Sequence, residues 1–163
     1  MRQGTLCYIT DKQADQQKLL LAFKKRGWGA GKWCGTGGKV KSGESIEEAT
    51  IRETEEEVGI RPVNLKKMAI LTFLWPDVPN KEMDMEVHVY FAQKFRGQPQ
   101  ETEEMKPQWF WEKELPFKKM WPSDSYWLPM LLAGKKVKAV FEHPGEAKTY
   151  RKRKIEEVAN FEK

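Results

Sequence analysis

The sequence predicts a mixed α/β or α+β fold, and three observations support this class. Apolar segments of strand length alternate with two segments of helical character, without a strict strand–helix–strand period. The chain has 163 residues, about the length of one domain. Its 7 Trp and 8 Phe argue against intrinsic disorder, because aromatic residues are scarce in disordered chains. We therefore predict a single folded domain over residues 1–163.

Six segments have the apolar or alternating composition of β-strands. In chain order they are residues 5–10, 18–23, 68–75, 85–95, 108–111 and 137–141. A loop with six glycines, residues 27–38, follows the second of them. Such a segment cannot form a regular helix, and glycine lets a ligand approach the backbone closely. The stretch at residues 76–82 is predicted to be another loop.

The first helix is predicted over residues 46–58. Ser45 precedes it and Glu48 follows three residues later, which is the spacing of a capping box. Gly59 is a natural stop at the C-terminal end. We expect this helix to turn a narrow, less charged stripe toward a sheet and a strongly acidic face away from it.

A second helix is predicted near the C-terminal end of the chain. Ser123 or Asp124 begins it, and it runs to Ala133 unless Pro129 kinks it or ends it early. The last predicted strand is followed by a polar tail, which we expect to be partly helical.

Composition and charge exclude several classes of protein. No apolar run reaches the roughly 18 residues of a membrane-spanning helix, and the first residues lack a secretory signal pattern. We therefore expect a cytoplasmic protein with no membrane partner, in which Cys7 and Cys34 are reduced thiols. The net charge is +5, and the basic residues are scattered. The one dense basic run, residues 148–154, is weak evidence for nucleic acid, so we expect no stable nucleic-acid partner.

The chemistry of the sequence lies in the first predicted helix and the glycine loop before it. Glu53 and Glu57 are four residues apart and share a helix face, with Glu56 beside them. Carboxylates at this spacing repel each other, and a hard cation such as Mg²⁺ or Mn²⁺ relieves the repulsion. A solvated acidic face is the alternative, and it is common. The glycine loop favours a metal–polyphosphate site, in which lysines such as Lys24 offset charge and water is the attacking group.

The segment from Gly38 onward carries a long motif. Gly38 is followed after five residues by Glu44, and after seven more by the run at residues 52–60, RETEEEVGI. This spacing resembles the Nudix box of the Nudix (MutT-type) hydrolases, and only Thr54 departs from it, at a bulky apolar position. The resemblance implies an α/β/α sandwich around a mixed sheet. It also implies hydrolysis of nucleoside diphosphates linked to another moiety, with Mg²⁺ or Mn²⁺ as cofactor.

The same resemblance implies roles for individual residues. Arg52 is implied to orient the glutamates, and one glutamate of the set is implied to help activate water. The implied metal-site residues are Gly38, Glu53, Glu56, Glu57 and Glu104, and the four glutamates with Arg52 form the implied catalytic set.

Other segments resemble the subgroup of this family that acts on oxidised purine nucleoside triphosphates. These segments are residues 24–33, 37–40, 104–110 and 116–127. The resemblance implies a purine pocket with aromatic walls and a few polar groups at the base edge. Plain core packing is the alternative for each aromatic residue taken singly. The residues implied to bind substrate are Lys24, Trp28, Cys34, Gly37, Gly38, Phe73, Trp75, Met85, Met105, Trp121, Ser123 and Asp124.

The predicted function is therefore that of a nucleoside triphosphate diphosphatase, expected to be a monomer. Its expected substrates are oxidised purine nucleoside triphosphates such as 8-oxo-dGTP and 2-hydroxy-dATP, cleaved to monophosphate and pyrophosphate to clean the nucleotide pool. Cys34 and Ser123 stand where the subgroup has Asn and Asp, and losing these hydrogen-bonding groups weakens discrimination. An N6- or O6-methylated purine triphosphate or a capped RNA end is therefore the alternative substrate. A non-catalytic nucleotide sensor or RNA-binding module, using residues 148–154, is the alternative of another class.

Overall fold

A mixed β-sheet forms the centre of the structure, which is a computed structural model and describes residues 1–77, 79, 83–143 and 151–161. The strands are, in chain order, β1 (Arg2–Gln13), β2 (Gln16–Lys24), β3 (Trp33–Cys34), β4 (Thr36–Lys39), β5 (Arg61–Val63), β6 (Lys66–Leu74), β7 (Met85–Ala92), β8 (Lys94–Arg96), β9 (Met105–Trp111), β10 (Lys136–Glu142) and β11 (Arg151–Val158). The helices are α1 (Ile46–Val58) and α2 (Asp124–Leu132), and short 3-10 turns lie at Glu112–Glu114 and Phe117–Lys119.

Within the described residues, nine strands join one sheet. Its main order is β11-β10-β6-β7-β1-β2-β3, with β4 paired to β1 and β9 paired to β2. The pairs β1–β7 and β6–β10 are parallel, and the others are antiparallel. Strands β5 and β8 form a separate two-stranded ribbon. The mixed sheet that the resemblance implied is confirmed.

The two helices cover opposite faces of this sheet. Successive side chains of a strand point to opposite faces, and β1 shows the consequence. Tyr8 is buried in the larger apolar cluster with Trp127 of α2, whereas Cys7 and Ile9 are buried in a smaller cluster with Val58 of α1. This arrangement is the predicted α/β/α sandwich. In the described part of the chain, no helix is long and apolar enough to cross a membrane.

Helix α1 has the predicted bounds and the predicted ends. The Ser45 side chain accepts a hydrogen bond from the backbone N–H of Glu48 at 3.1 Å, which satisfies one of the free donors of the first turn. Gly59 ends the helix with a left-handed φ of 77°, a conformation that glycine adopts without steric cost. Its N–H donates to the carbonyl of Glu55 at 3.0 Å.

The glycine loop is more regular than predicted, because its second half belongs to the sheet. Gly37 and Gly38, called the glycine pair below, lie in β4 and pair with β1 opposite Leu6 and Thr5. A Cβ atom at Gly37 would collide with the backbone oxygen of Thr5. Glycine therefore allows β4 to approach β1, and the prediction of an irregular loop through residue 38 was wrong.

The C-terminal region also differs from the prediction. Residues 151–158 form β11 along β10, so the expectation of a partly helical tail was wrong for them. Ile155 of β11 packs against the larger apolar cluster, and this distant contact favours a strand. Helix α2 continues through Pro129, and the strand predicted at residues 85–95 is split into β7 and β8. Residues 78, 80–82 and 148–150 of the predicted loop and basic run lie outside the described residues.

Candidate active site

Two glutamates of α1 meet the glycine pair of β4. A Cβ atom at Gly38 would lie 2.5 Å from the carboxyl carbon of Glu53, so glycine leaves this space to the carboxylate. The backbone N–H of Gly37 donates to Oε1 of Glu57 at 2.7 Å. The helix and the strand thus bring together four of the residues that the sequence predicts for the metal–phosphate site.

Arg52 connects the other polar groups at this end of the molecule. Its guanidinium donates two hydrogen bonds to Glu44, at 3.0 and 2.7 Å, one to Glu53 at 2.8 Å and one to Glu56 at 3.3 Å. It also binds the carbonyl of Lys39 at 3.1 Å. The bond to Arg52 lowers the pKa of Glu44 to about 2, and the bond to Glu44 raises the pKa of Arg52. These contacts connect Arg52 to three glutamates, and its role in orienting them stays a prediction.

Glu57 is the buried carboxyl of the site. Burial raises its pKa to about 8. The N–H of Gly37 and the charge of Lys24 act in the opposite direction, whereas Glu53 and Glu104 add to the increase. A buried carboxylate with carboxylate neighbours needs further positive charge to be stable in its ionised form. Its environment is therefore suited to a cation.

Glu104, on the loop before β9, faces the same region. Its charge acts on Glu57, and its side chain, 55% exposed, lies 3.6 Å from Arg26. Glu56 points outward and is 56% exposed. The structure therefore places Glu53 and Glu57 at the glycine pair, keeps Glu104 within electrostatic reach of Glu57, and leaves Glu56 at the solvent edge. Among the described residues, no three carboxylate, cysteine or histidine side chains are already gathered closely enough to hold a metal.

Cys34 lies in β3 opposite Ala22 and is half-buried. Its thiol donates to the carbonyl of Ala22 at 3.7 Å. Burial raises the pKa of this thiol to about 12; Glu57 and Asp124 act in the same direction, and Lys24 lowers it. Both carboxyl groups are therefore within electrostatic reach of one side chain. At neutral pH this residue is an uncharged thiol.

Three of the predicted pocket tryptophans pack against one another. The ring centroids of Trp28 and Trp121 are 4.7 Å apart, and those of Trp28 and Trp75 are 6.2 Å apart. Gly29 lies so close that a Cβ atom there would be 2.9 Å from the Trp121 ring. The Lys32 ammonium is 5.3 Å from the centroid of Trp121. Trp28 is 63% exposed, so the face of this aromatic cluster is open to solvent.

Ser123 and Asp124 lie at the start of α2, next to this aromatic cluster. Both side chains are buried, and the N–H of Asp124 donates to the carbonyl of Trp121 at 3.0 Å. Burial raises the pKa of the Asp124 carboxyl to about 8, and a separate hydrogen bond, which this carboxyl accepts from the backbone of Trp121, lowers it in part. At neutral pH the carboxyl is therefore mostly protonated, and it can donate as well as accept a hydrogen bond.

The other predicted pocket residues divide between the two faces of the sheet. Phe73 stacks on Phe141 with ring centroids 5.7 Å apart, and Met85 packs against the same larger cluster. Met105 is buried in the smaller cluster on the α1 side, beside Cys34. The structure therefore does not place Met105 among the tryptophans, and its role in substrate binding stays a prediction.

His143 is a residue of this region that the sequence reasoning missed. Its ring stacks on Trp75 with centroids 4.5 Å apart and planes inclined by 19°, and the side chain is buried. A signal was present in the sequence, because His143 continues the alternation of Val137, Ala139 and Phe141 beyond the predicted end of the last strand.

Comparisons with known proteins agree with this geometry. A NUDIX domain profile matches residues 1–131. The chain is 47% identical over 120 residues to an oxidized purine nucleoside triphosphate hydrolase of Mus musculus, and the aligned residues cover 74% of this chain and 75% of the mouse protein. It is 42% identical over 128 residues to a protein of the same name from Danio rerio, covering 78% and 80% of the two chains.

A solved structure supports the same conclusion for the fold. The crystal structure of a MutT protein from Bacillus halodurans matches with a TM-score of 0.77 and 26% identity, covering 93% of this chain and 97% of that one. The profile, the relatives and this structure agree with a site in which Arg52 binds Glu53 and Gly37 of β4 binds Glu57. This chain belongs to the NUDIX domain family.

Proposed function

We propose that this enzyme hydrolyses oxidised purine nucleoside triphosphates, such as 8-oxo-dGTP and 2-hydroxy-dATP, to monophosphate and pyrophosphate, and so cleans the nucleotide pool. The hydrogen bond from Gly37 to Glu57 carries the proposal, because it holds a buried carboxyl against a strand backbone that a phosphate can approach; Cys34 is within electrostatic reach of both Glu57 and Asp124. A phosphate end, made of the glycine pair and the α1 glutamates, thus adjoins a base end, made of Asp124 and the three tryptophans. The mouse and zebrafish relatives bear the name of this activity.

Nudix hydrolases generally need a divalent metal ion, and we propose Mg²⁺, with Mn²⁺ as a substitute. The oxygen-only donor set suits such a hard cation, and the pKa of the buried Glu57 carboxyl stays raised even with the charge of Lys24 nearby, so a further cation would stabilise its ionised form. When bound, the ion supplies positive charge that stabilises the phosphoryl oxygens as negative charge develops on them. The residues proposed to hold it are Gly38, Glu53, Glu56, Glu57 and Glu104.

The protein's own groups supply orientation and recognition. Arg52 fixes the carboxylates of Glu53 and Glu56 through its hydrogen bonds. Lys24 places a positive charge near Glu57, where a polyphosphate needs it. At the base end, the protonated carboxyl of Asp124 donates a hydrogen bond to an acceptor on the purine edge, and the tryptophan rings stack on the face of the purine.

A second candidate is the hydrolysis of another modified nucleotide, such as an N6- or O6-methylated purine triphosphate or a capped RNA end. The chemistry of Cys34 and Ser123 favours it. The Cys34 thiol has a pKa of about 12, stays neutral, and is a weak hydrogen-bonding group. The Ser123 hydroxyl is buried but has no negative charge to offer a base N–H. Both differences reduce the number of strong contacts available to read an oxidised purine.

The experiment that tests the proposal is pyrophosphate release from a panel of nucleotides with Mg²⁺, repeated with Mn²⁺. The panel contains 8-oxo-dGTP, 2-hydroxy-dATP, N6-methyl-dATP, a capped RNA fragment and the four ordinary deoxynucleoside triphosphates. An advantage of about tenfold in kcat/KM for an oxidised purine, about 1.4 kcal/mol, supports the proposal. A methylated purine or capped RNA as the best substrate supports the second candidate. Turnover of none of them contradicts both.

We further propose that residues 1–163 form one domain and act as a cytoplasmic monomer, without a stable nucleic-acid or membrane partner. The strands β10 and β11, which extend beyond residue 131, pair onto β6 and so complete the same sheet. Cys7 and Cys34 are free thiols, which suits a reducing compartment. Light scattering of the purified enzyme tests the monomer, since twice the chain mass contradicts it.

A further inference from the structure

Four buried threonines form two hydroxyl pairs between α1 and the sheet. Thr50 and Thr54 lie one turn apart on α1, and Thr5 of β1 and Thr36 of β4 face them. Oγ1 of Thr36 lies 2.8 Å from Oγ1 of Thr54, and the hydroxyls of Thr5 and Thr50 are in contact. All four residues are at most 5% exposed. Polar groups buried in this way are expected to be paired, because an unpaired hydroxyl is costly.

The helix threonines use their single hydroxyl protons within α1, which limits the direction of the bonds between helix and sheet. Thr54 donates to the carbonyl of Thr50 at 2.8 Å, and Thr50 donates to the carbonyl of Ile46 at 2.7 Å. A hydroxyl has one proton, so both helix threonines act as acceptors toward the sheet. Thr36 and Thr5 are then the donors toward the helix, and each also lies within reach of a strand carbonyl, that of Cys7 at 3.4 Å and that of His88 at 3.3 Å.

The Thr36–Thr54 bond joins the two parts of the phosphate end. Thr36 directly precedes the glycine pair in β4, and Thr54 lies between Glu53 and Glu57 in α1. Apolar contacts also hold α1 on the sheet, but they are non-directional and leave its rotation loosely set. A hydrogen bond has a preferred distance and angle. This bond therefore constrains where the two carboxylates stand relative to the glycine pair.

We propose that Thr36 and Thr54 are positioning residues, whose hydroxyl pair holds α1 in the rotation that lets Glu53 and Glu57 address the glycine pair together. The inference rests on the proposed function, because positioning matters only if these glutamates take part in the reaction. It gives a role to the one position at which this chain departs from the family motif. Thr54 fills an apolar position by shape, and its hydroxyl adds a directional bond. Misplacing a reacting group by about 1 Å can reduce the rate about a hundredfold.

The test compares Thr36→Val, Thr54→Val and the double variant T36V/T54V. Valine has nearly the shape of threonine, and replacing both partners removes the pair without leaving an unpaired hydroxyl. We expect the double variant to unfold at the urea concentration of the parent, while its kcat falls about tenfold or more and its KM changes by less than about twofold. Each single variant should be less stable than the parent, unlike the double variant, because it leaves one buried hydroxyl without its threonine partner.

The matched control is Thr10→Val, a buried threonine of β1 on the opposite face from Thr5. It removes a buried hydroxyl far from the helix contact, and we expect the kcat of the parent. If the double variant does not fold, Thr54→Ser and Thr54→Cys replace it. Serine keeps the strong hydrogen bond and should keep kcat, whereas cysteine is a weak hydrogen-bonding group and should lower it. Equal kcat in these two variants would overturn the proposal.

A second readout does not depend on turnover. In the metal-free protein, the backbone N–H of Gly37 reports its bond to Glu57 through its NMR chemical shift and its hydrogen-exchange rate. The double variant should shift this signal and speed its exchange, and Thr10→Val should do neither. An unchanged Gly37 signal together with unchanged kcat means that the hydroxyl pair is packing alone. If the parent turns over no nucleotide, the proposed function is contradicted. A shift of the Gly37 signal in the double variant would still support the positioning role of the two threonines.

Discussion

The phosphate end and the base end of this enzyme are built in different ways. At the phosphate end, residues from one segment of about two dozen positions meet through hydrogen bonds, as Arg52 and Glu57 show. At the base end, Trp28 comes from a loop, Trp75 and His143 directly follow β6 and β10, and their rings meet although they are far apart in the sequence. The first region is held by directional bonds and the second by packing.

Under the proposed function, this difference separates the two tasks of the site. Charges held at fixed positions determine how well negative charge on the phosphates is stabilised, and a change there should act mainly on kcat. Ring stacking and a few polar groups determine which base fits, and a change there should act mainly on KM and on the order of substrates. The predictions below test that separation.

The largest effect is expected for Glu57→Gln. The change removes one proposed metal-binding charge and keeps the acceptor for the Gly37 N–H, so kcat should fall by about two orders of magnitude or more. The fold should persist, because the variant no longer buries an ionisable carboxyl. Pyrophosphate release and urea unfolding measure the two effects. Glu47→Gln, an exposed change on the first turn of α1, is the control. Near-parental activity of Glu57→Gln would remove this residue from the site.

The next effect concerns pH and Asp124, whose pKa is raised by burial from about 3.8 to about 8. A carboxyl with a raised pKa in the folded state contributes most to stability below the unfolded pKa, and this contribution is lost as the pH rises toward 8. Between pH 6 and pH 8 the free energy of unfolding should fall by about 2 kcal/mol relative to Asp124→Asn. The KM for the purine should rise over the same interval, because the carboxyl loses the proton that it donates.

Unfolding in urea at several pH values, with the parent and Asp124→Asn side by side, measures this difference. Asp15→Asn, on the exposed turn between β1 and β2, serves as the control and should keep the pH dependence of the parent. Parallel stability curves for the parent and Asp124→Asn would show that Asp124 is not the group that titrates.

A smaller effect is expected for Gly38→Ala. The added Cβ atom would lie 2.5 Å from the carboxyl carbon of Glu53, and the flexible glutamate can move aside. We expect kcat to fall about tenfold while the unfolding midpoint stays close to that of the parent. Gly37→Ala offers the contrast, since its Cβ would meet the backbone of Thr5, which cannot move without breaking the β1–β4 pair. That variant should lose stability and activity together, and equal stability of the two variants would contradict this reading.

Features that depend on neighbouring residues could be predicted from the sequence, whereas features that depend on distant contacts could not. Helix α1 has its predicted ends because each end depends on residues close to it, Ser45 with Glu48 at the start and Gly59 at the stop, and the motif placed the glutamates on one helix. The position of β11 depends on contacts of Ile155 with a distant cluster. The residues near Ile155 in the sequence do not indicate such a contact, so this segment was predicted to be a partly helical tail.

The same limit applies to single side chains. Thr54 stands at a bulky apolar position of the motif, and only the folded chain shows that its hydroxyl meets Thr36. His143 lies two residues past the predicted end of a strand, and its contact with Trp75 depends on the parallel pairing of β10 with β6. Met105 was assigned to the base end by resemblance, and the burial of its side chain on the α1 side follows from the β2–β9 register.

The smallest effect is expected for Trp121→Ala, which tests the base end alone. Trp121 contacts Trp28 and the ammonium of Lys32, and a lost aromatic stacking partner costs about 1 kcal/mol. The KM should therefore rise about fivefold, the preference among bases should flatten, and kcat should change little. Tyr126→Ala, an exposed aromatic of α2, is the control and should leave the KM unchanged. A fall in kcat at constant KM would mean that the tryptophan cluster serves the reaction itself, and the separation between the two ends would then be lost.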